Sequence, residues 1–197
     1  TQMIVCDPKS VWYLTGVAVE PYERLLALYL PTEGEPVLFL NRLFNVPEPP
    51  CRTVWHTDTD KPVAQIAEVV DAGRPLGIDK EWPAKFLIPL METHPGMQVV
   101  LSSDCVDDCR ACKDAEEQAL MREASRINDA VNEAAKHFIK VGMTEREVAE
   151  FIDAQFRAHG CEGPSFTTIV SFGANAADPH HEPDDTCLLY TSDAADD

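Results

Sequence analysis

Apolar and polar positions alternate with two different textures along the chain. Over residues 1–104 the apolar positions fall in short runs: "MIVC", "RLLALYLP", "PVLFLN", "TVWHT", "PLGIDK" and "MQVVLSS". Pro, Gly, Asp or Glu bounds them, as expected of strands. Between them, "KPVAQIAEVVDA" places Val63, Ile66, Ala67 and Val70 on one helical face, with Pro62 tolerated in the first turn. "PAKFLIPLMETHPG" predicts a second helix, interrupted or bent at Pro89 and ended by "HPG". Pro47, Pro49 and Pro50 mark a loop. Strands alternating with helices predict an α/β unit built on a mostly parallel or mixed sheet.

Past residue 105 the period lengthens. Leu120, Ala124, Ile127, Val131, Ala134 and Phe138 recur at spacings of three and four, which predicts one long amphipathic helix from Asp114 to Val141. Asp114 and Glu117 have capping-box spacing at its start, and Gly142 follows its end. Thr144 and Glu147 repeat the box for a second helix, with Val148, Phe151, Ile152 and Phe156 on its apolar face and Gly160 at its end. "SFTTIVSFG" then predicts a strand, and "ANAADPHHEPDD" a loop. The change of texture places a domain boundary between residues 105 and 113. The second unit is expected to be incomplete, because one strand beside two helices leaves backbone donors and acceptors unpaired on both its edges.

A length of 197 residues allows one large domain or two small ones. The formal charge of −18 disfavours nucleic acid as a partner, since phosphate binding needs clustered Lys and Arg. The longest apolar runs, "LLALYL" and "FLIPLM", are too short to span a bilayer, and no basic-then-apolar start marks a signal peptide. The expected location is therefore cytoplasmic. Seven cysteines without regular spacing fit reduced thiols better than a disulfide framework. Thr1 is not an initiator Met, and "CLLYTSDAADD", residues 187–197, matches none of the preceding patterns. It reads as an in-frame translation of a sequencing-library adaptor, so an adaptor-derived tail is expected there.

The chemistry-bearing clusters are few. Cys105, Cys109 and Cys112 have the C-x3-C-x2-C spacing of a radical-enzyme iron–sulfur loop. They also stand at i, i+4 and i+7, one face of a helix, and the expected reading is three small buried residues. Cys161 near His159 sits beside Gly160 at a helix end, and His56, His94 and His137 are isolated. No G-x-S-x-G elbow, Walker loop or G-x-G-x-x-G occurs. His180 and His181 stand together among Asp178, Glu182, Asp184 and Asp185. Three readings stay open for them: a metal site, a solvated loop, or a histidine acting in a site completed by other residues. Adjacent loop side chains diverge, which counts against one shared ion.

"YLTG", "GIDKEWPAKFLIPLM", "KDAEEQALMREASRINDAV", "GMTEREVAEFIDAQF" and "SFTTIVSFGANAADPHHEP", in this order and spacing, resemble the creatinase/prolidase/aminopeptidase P family. The resemblance implies a creatinase-type N-terminal α/β domain over 1–108 and the first helices and strand of an α+β pita-bread peptidase domain over 109–186. It implies hydrolysis of the bond before proline in a peptide, with two divalent ions (Mn, Co or Zn) held by two Asp, one His and two Glu. Those ligands are expected downstream of the "PHHEP" segment, so no residue of this chain is expected to bind metal and the chain alone is expected to be inactive. His180 matches the family histidine that faces the substrate near the scissile amide. His181 is expected to shape the proline-side pocket. A homodimer is also implied, with no membrane or nucleic-acid partner. Two rivals share the fold: a creatinase-like metal-independent amidinohydrolase, and a non-catalytic binding module for basic proteins.

Overall fold

The computed structural model describes residues 2–188. It divides into two compact units, Thr1–Lys113 and Asp114–Asp197. Most of the expected tail therefore lies outside the described residues.

The first unit is a six-stranded mixed sheet covered on both faces. Its strands are β1 (Gln2–Val5), β2 (Ala27–Leu30), β3 (Val37–Asn41), β4 (Arg52–His56), β5 (Leu76–Ile78) and β6 (Val99–Leu101), in the order β4-β3-β2-β1-β5-β6. β2 runs antiparallel to both β1 and β3, and the outer pairs are parallel. Because side chains alternate between faces, neighbouring residues join different cores. Ile4, Ala27, Tyr29, Val37 and Phe39 face one cluster; Val5, Leu26, Leu28, Leu38 and Leu40 face the other. α2 (Pro62–Ala67) and α3 (Ala84–Thr93) supply Ile66 and Leu90 to the first cluster. α1 (Pro8–Thr15) and α4 (Asp104–Ala111) supply Val11 and Val106 to the second. Burial on both sides explains why the central strands are continuous apolar runs rather than alternating ones.

All six predicted strands form. The apolar pattern does not predict α1, although Asp7 caps it through Ser10 N–H, Pro8 occupies its first turn and Gly16 closes it at φ 74°. α3 runs through Pro89 without the interruption expected there, and ends at Thr93 with His94 as its C-cap, where "HPG" predicts the end. Cys105, Cys109 and Cys112 correct the buried-face expectation. α4 does form, but it buries Val106 and leaves all three cysteines exposed.

In the second unit α5 (Ala115–Phe138) and α6 (Glu145–Ala158) both begin with the predicted capping boxes. Val131, Ala135 and Val148 are buried between them, and the Phe138 and Phe151 rings stack at 3.8 Å. Leu120, predicted on the same stripe, is exposed, so α6 covers only the later turns of α5. The predicted strand over "SFTTIVSFG" does not form a ladder: among the described residues no neighbouring strand pairs with it. The segment is tethered instead by Thr168 Oγ1, which donates to Asp153 at 2.5 Å. The one pairing among the described residues here is a bridge of Thr144 with Cys187, extended by Leu188 N–H donating to Met143 O at 2.9 Å.

Asp79, just past β5, joins the first unit's strand ends. Its carboxylate accepts from the N–H groups of Cys6 (2.5 Å), Asp7 (2.8 Å) and Glu81 (3.0 Å), and lies 3.0 Å from the Cys6 thiol. Burial, then the charge of Asp79, raises the Cys6 thiol far above its ordinary range and keeps it protonated. Asp79→Ala strands these donors and is expected to lower the unit's unfolding free energy by about 2–4 kcal/mol, read by urea unfolding against an exposed Leu101→Ala control. A second expectation concerns thiol reactivity. Native protein should react rapidly through the exposed Cys105, Cys109, Cys112 and Cys187, while the buried Cys6 reacts only after unfolding. A Cys6→Ser variant that reduces the rapid native amplitude would contradict this.

Candidate functional site

The "PHHEP" loop is held by a carboxylate at the start of α6. Glu145 is the first residue of that helix and its side chain is fully buried. Spacing explains the burial: Glu145, Val148 and Ile152 share one helical face, the face that packs inward. An ionised carboxylate there needs partners, since burying an unpaired charge costs on the order of several kcal/mol. Four donors meet it. Oε1 accepts from Phe172 N–H at 2.6 Å and Asn175 Nδ2 at 3.0 Å. Oε2 accepts from His181 Nε2 at 2.8 Å and Asp184 N–H at 3.1 Å.

The loop in turn completes the helix. The first N–H groups of an α-helix have no partner inside it. Here Glu145 N–H donates to Thr186 O and Arg146 N–H to Asp184 O, each at 3.1 Å, while Glu147 N–H is capped by Thr144 Oγ1. Arg146 also reaches Asp185 at 3.1 Å. A 3-10 turn, Gly173–Ala177, carries Asn175 into this network, and its Nδ2 also lies 3.2 Å from Thr186 Oγ1. A negative side chain in the first turn is further favoured by the helix dipole.

The paired histidines diverge as expected. His181 turns inward, with 18 % of its side chain exposed. His180 is exposed; its backbone N–H donates to Asp178 Oδ1 at 2.9 Å, and its ring has no hydrogen-bond partner among the described residues. The loop therefore presents one histidine outward and anchors the other.

Glu145, His181 and Asp184 place nitrogen and oxygen atoms within 4.8 Å of one another, the spacing of a possible cation site. The chemistry does not fit one. All the acceptor positions of the Glu145 carboxylate are occupied by N–H donors, and His181 Nε2 must carry a proton to face Oε2 at 2.8 Å. An ion would have to displace the contacts that hold the loop. Elsewhere, a cavity of about 300 Å³ in the first unit is lined by Arg24, Asn41, His56 and Asp58. His56 is engaged there at both nitrogens, with Leu25 O at 3.1 Å and Asn41 at 3.4 Å, and Asp58 is paired with Arg24. These are structural contacts.

Sequence patterns alone give Glu145 and Asn175 no role in the site. The available signal is an acidic residue on the apolar face of a helix, one residue after its cap.

Comparison with known proteins follows the division into units. The creatinase/prolidase N-terminal domain model matches residues 1–112, and the metallopeptidase family M24 model matches residues 119–194. An uncharacterized peptidase of Staphylococcus epidermidis is 29 % identical over 188 residues, covering 93 % of this chain and 53 % of that protein. One from Staphylococcus aureus is 31 % identical over 195 residues, with the same coverage. The chain thus spans about half the length of the curated relatives it matches. Among solved structures, dipeptidase PepE from Mycobacterium ulcerans superposes with TM-score 0.84 at 28 % identity, over 95 % of this chain and 52 % of that one. A recombinant prolidase from Thermococcus sibiricus gives TM-score 0.84 at 27 % identity, over 95 % and 53 %.

The Glu145 network predicts a pH dependence. Burial opposes the charge, but the N–H groups of Phe172 and Asp184, then His181 and Asn175, outweigh it and hold the carboxyl below its ordinary value of 4.5. A depressed carboxyl contributes stability that is present above the unfolded value and lost as pH falls through the folded one. The contribution of Glu145 to the stability of α6 and its loop should therefore be constant near neutrality and fall away progressively below about pH 4.5. Glu145→Gln should cost roughly 2–3 kcal/mol at neutral pH and flatten that acid limb, measured by chemical unfolding across the pH range.

Proposed function

The chain belongs to the creatinase/prolidase family of metallopeptidases, and from that membership we propose that it forms part of a metal-dependent Xaa-Pro peptidase. The observation supporting this most directly is His180: an exposed imidazole with no partner of its own among the described residues, on a loop immobilised through Glu145. Residues 1–108 serve as the creatinase-type domain and 109–186 as the beginning of the peptidase domain.

The bond before proline is a tertiary amide without an N–H, so enzymes that hold substrate as a hydrogen-bonded strand handle it poorly. His180 donates or accepts beside the scissile amide and steadies the charge that develops on its carbonyl during attack. His181 lines the proline side of the same pocket. Divalent ions (Mn, Co or Zn) supply Lewis acidity and the nucleophilic water in such chemistry, and the residues that hold them lie outside this chain. The substrate is a proline-containing peptide. The working protein is a cytoplasmic homodimer, without nucleic-acid or membrane partners; among the described residues no helix is long and apolar enough to cross a membrane.

Three measurements test this reading. The protein expressed from the uninterrupted natural gene, with manganese or cobalt, should hydrolyse Xaa-Pro dipeptides. His180→Ala should lower its kcat by about 10²–10⁴-fold while KM changes little. Residues 1–197 alone should show no turnover with either metal; turnover by that chain would refute the assignment of the metal ligands to residues outside it.

A further inference from the structure

We infer that Glu145 is a positioning residue for the histidine pair: its buried carboxylate fixes His181 in the form protonated at Nε2 and leaves Nδ1 as the nitrogen that meets a ligand. This deepens the peptidase reading and rests on it for the identity of the ligand, but not for the geometry.

The proton's place follows from counting donors and acceptors. Glu145 Oε2 is 2.8 Å from His181 Nε2. An ionised carboxylate only accepts, so a proton must lie between the two atoms and Nε2 must supply it. Asn175 Nδ2 lies 3.1 Å from the same nitrogen. Its two N–H groups have acceptors in Glu145 Oε1 at 3.0 Å and Thr186 Oγ1 at 3.2 Å. His181 Nε2 therefore has no need to accept from Asn175. Asp184, at 3.9 Å, is the other carboxylate near the ring and also favours a proton there. Nδ1 has no hydrogen-bond partner among the described residues. In the neutral ring it is an acceptor, and it can receive an N–H or O–H of a bound substrate. A carboxylate that fixes the tautomer of a histidine through one nitrogen sets what the other can do.

Glu145 also sets the ring's location. It holds Phe172 N–H ahead of the 3-10 turn and Asp184 N–H beyond the histidines, so both ends of the loop are tied to one side chain. Glutamine cannot replace it. Whichever way the side-chain amide of a Glu145→Gln variant turns, its NH2 faces a backbone N–H, of Phe172 on one side or Asp184 on the other. With its NH2 on the Oε1 side the amide would oppose both Phe172 N–H and Asn175 Nδ2, whereas on the Oε2 side it opposes Asp184 N–H and faces His181, whose Nε2 can become an acceptor, so the second orientation is favoured.

The test is a long-range proton–nitrogen NMR spectrum of the histidine rings in residues 1–197 at neutral pH, with His181 assigned by a His181→Asn variant. His181 should show one tautomer, protonated at Nε2, while His180 shows the averaged signals of a free ring. Glu145→Gln should move His181 to averaged signals or to the Nδ1-protonated form while the stacked Phe138 and Phe151 resonances persist. A wild-type His181 that is averaged or protonated only at Nδ1 overturns the inference, whether or not the variant folds. So does an unchanged Nε2-protonated signal in a folded Glu145→Gln chain. Neither measurement needs metal or substrate, so a failed peptidase assay leaves this result standing. In the protein from the natural gene, the same variant should raise KM by about tenfold with kcat within roughly threefold, a split that general unfolding would not produce.

Discussion

A buried carboxylate must be fully hydrogen-bonded or it will not stay buried and charged, and the second unit is organised around that constraint. Glu145 sits on the inward face of α6 because the helix begins where Thr144 caps it. Four donors satisfy it, and they come from Phe172, Asn175, His181 and Asp184. A loop with little apolar surface of its own is ordered by one charge. The exchange is reciprocal, because loop carbonyls at Asp184 and Thr186 take the unpaired N–H groups of the helix start. Removing either partner leaves the other with unmet polar groups.

The first unit solves a similar problem with Asp79. Where parallel strands end, backbone N–H groups point past the sheet with nothing to meet. One carboxylate gathers those of Cys6, Asp7 and Glu81, tying the end of β1 to the end of β5. The difference between the two units lies in what the carboxylate holds. Asp79 binds backbone and a protonated thiol, and so fixes a shape. Glu145 binds backbone and an imidazole, and so fixes a chemical state as well as a shape.

Much of this fold is legible in the sequence because its signals are local. Strand runs bounded by Pro, Gly and acidic residues, and the capping boxes at Asp114 and Thr144, are determined within a few residues. α1 carries equally local signals in Asp7, Pro8 and Gly16, but its apolar stripe is too short to stand out as a helical period. The failures are non-local. "SFTTIVSFG" has strand composition, but a strand is defined by its neighbour, and none pairs with it among the described residues. Cys105, Cys109 and Cys112 have helical spacing, but spacing does not say which face of α4 turns inward; Val106 takes that place. The histidine pair is visible as a candidate, and the residue that orients it is not. Nothing in the sequence links position 145 to position 181 until the chain folds.

The loop also shows why two adjacent histidines have separate roles. Neighbouring side chains on an irregular backbone point apart, so a network that captures one releases the other. His181 is committed to Glu145, and its reactivity is narrowed to a single nitrogen. His180 is held only through its backbone, on Asp178, and keeps both nitrogens available. A single histidine could not be both the anchor of the loop and the free ring at its edge. The carboxylates nearby divide in the same way. Asp178 and Asp184 accept from backbone within the loop, and Asp185 pairs with Arg146 outside it. Asp178, Asp184 and Asp185 are therefore spent on shaping the loop, Glu182 lies on its exposed surface, and the ring left free beside them is the imidazole of His180.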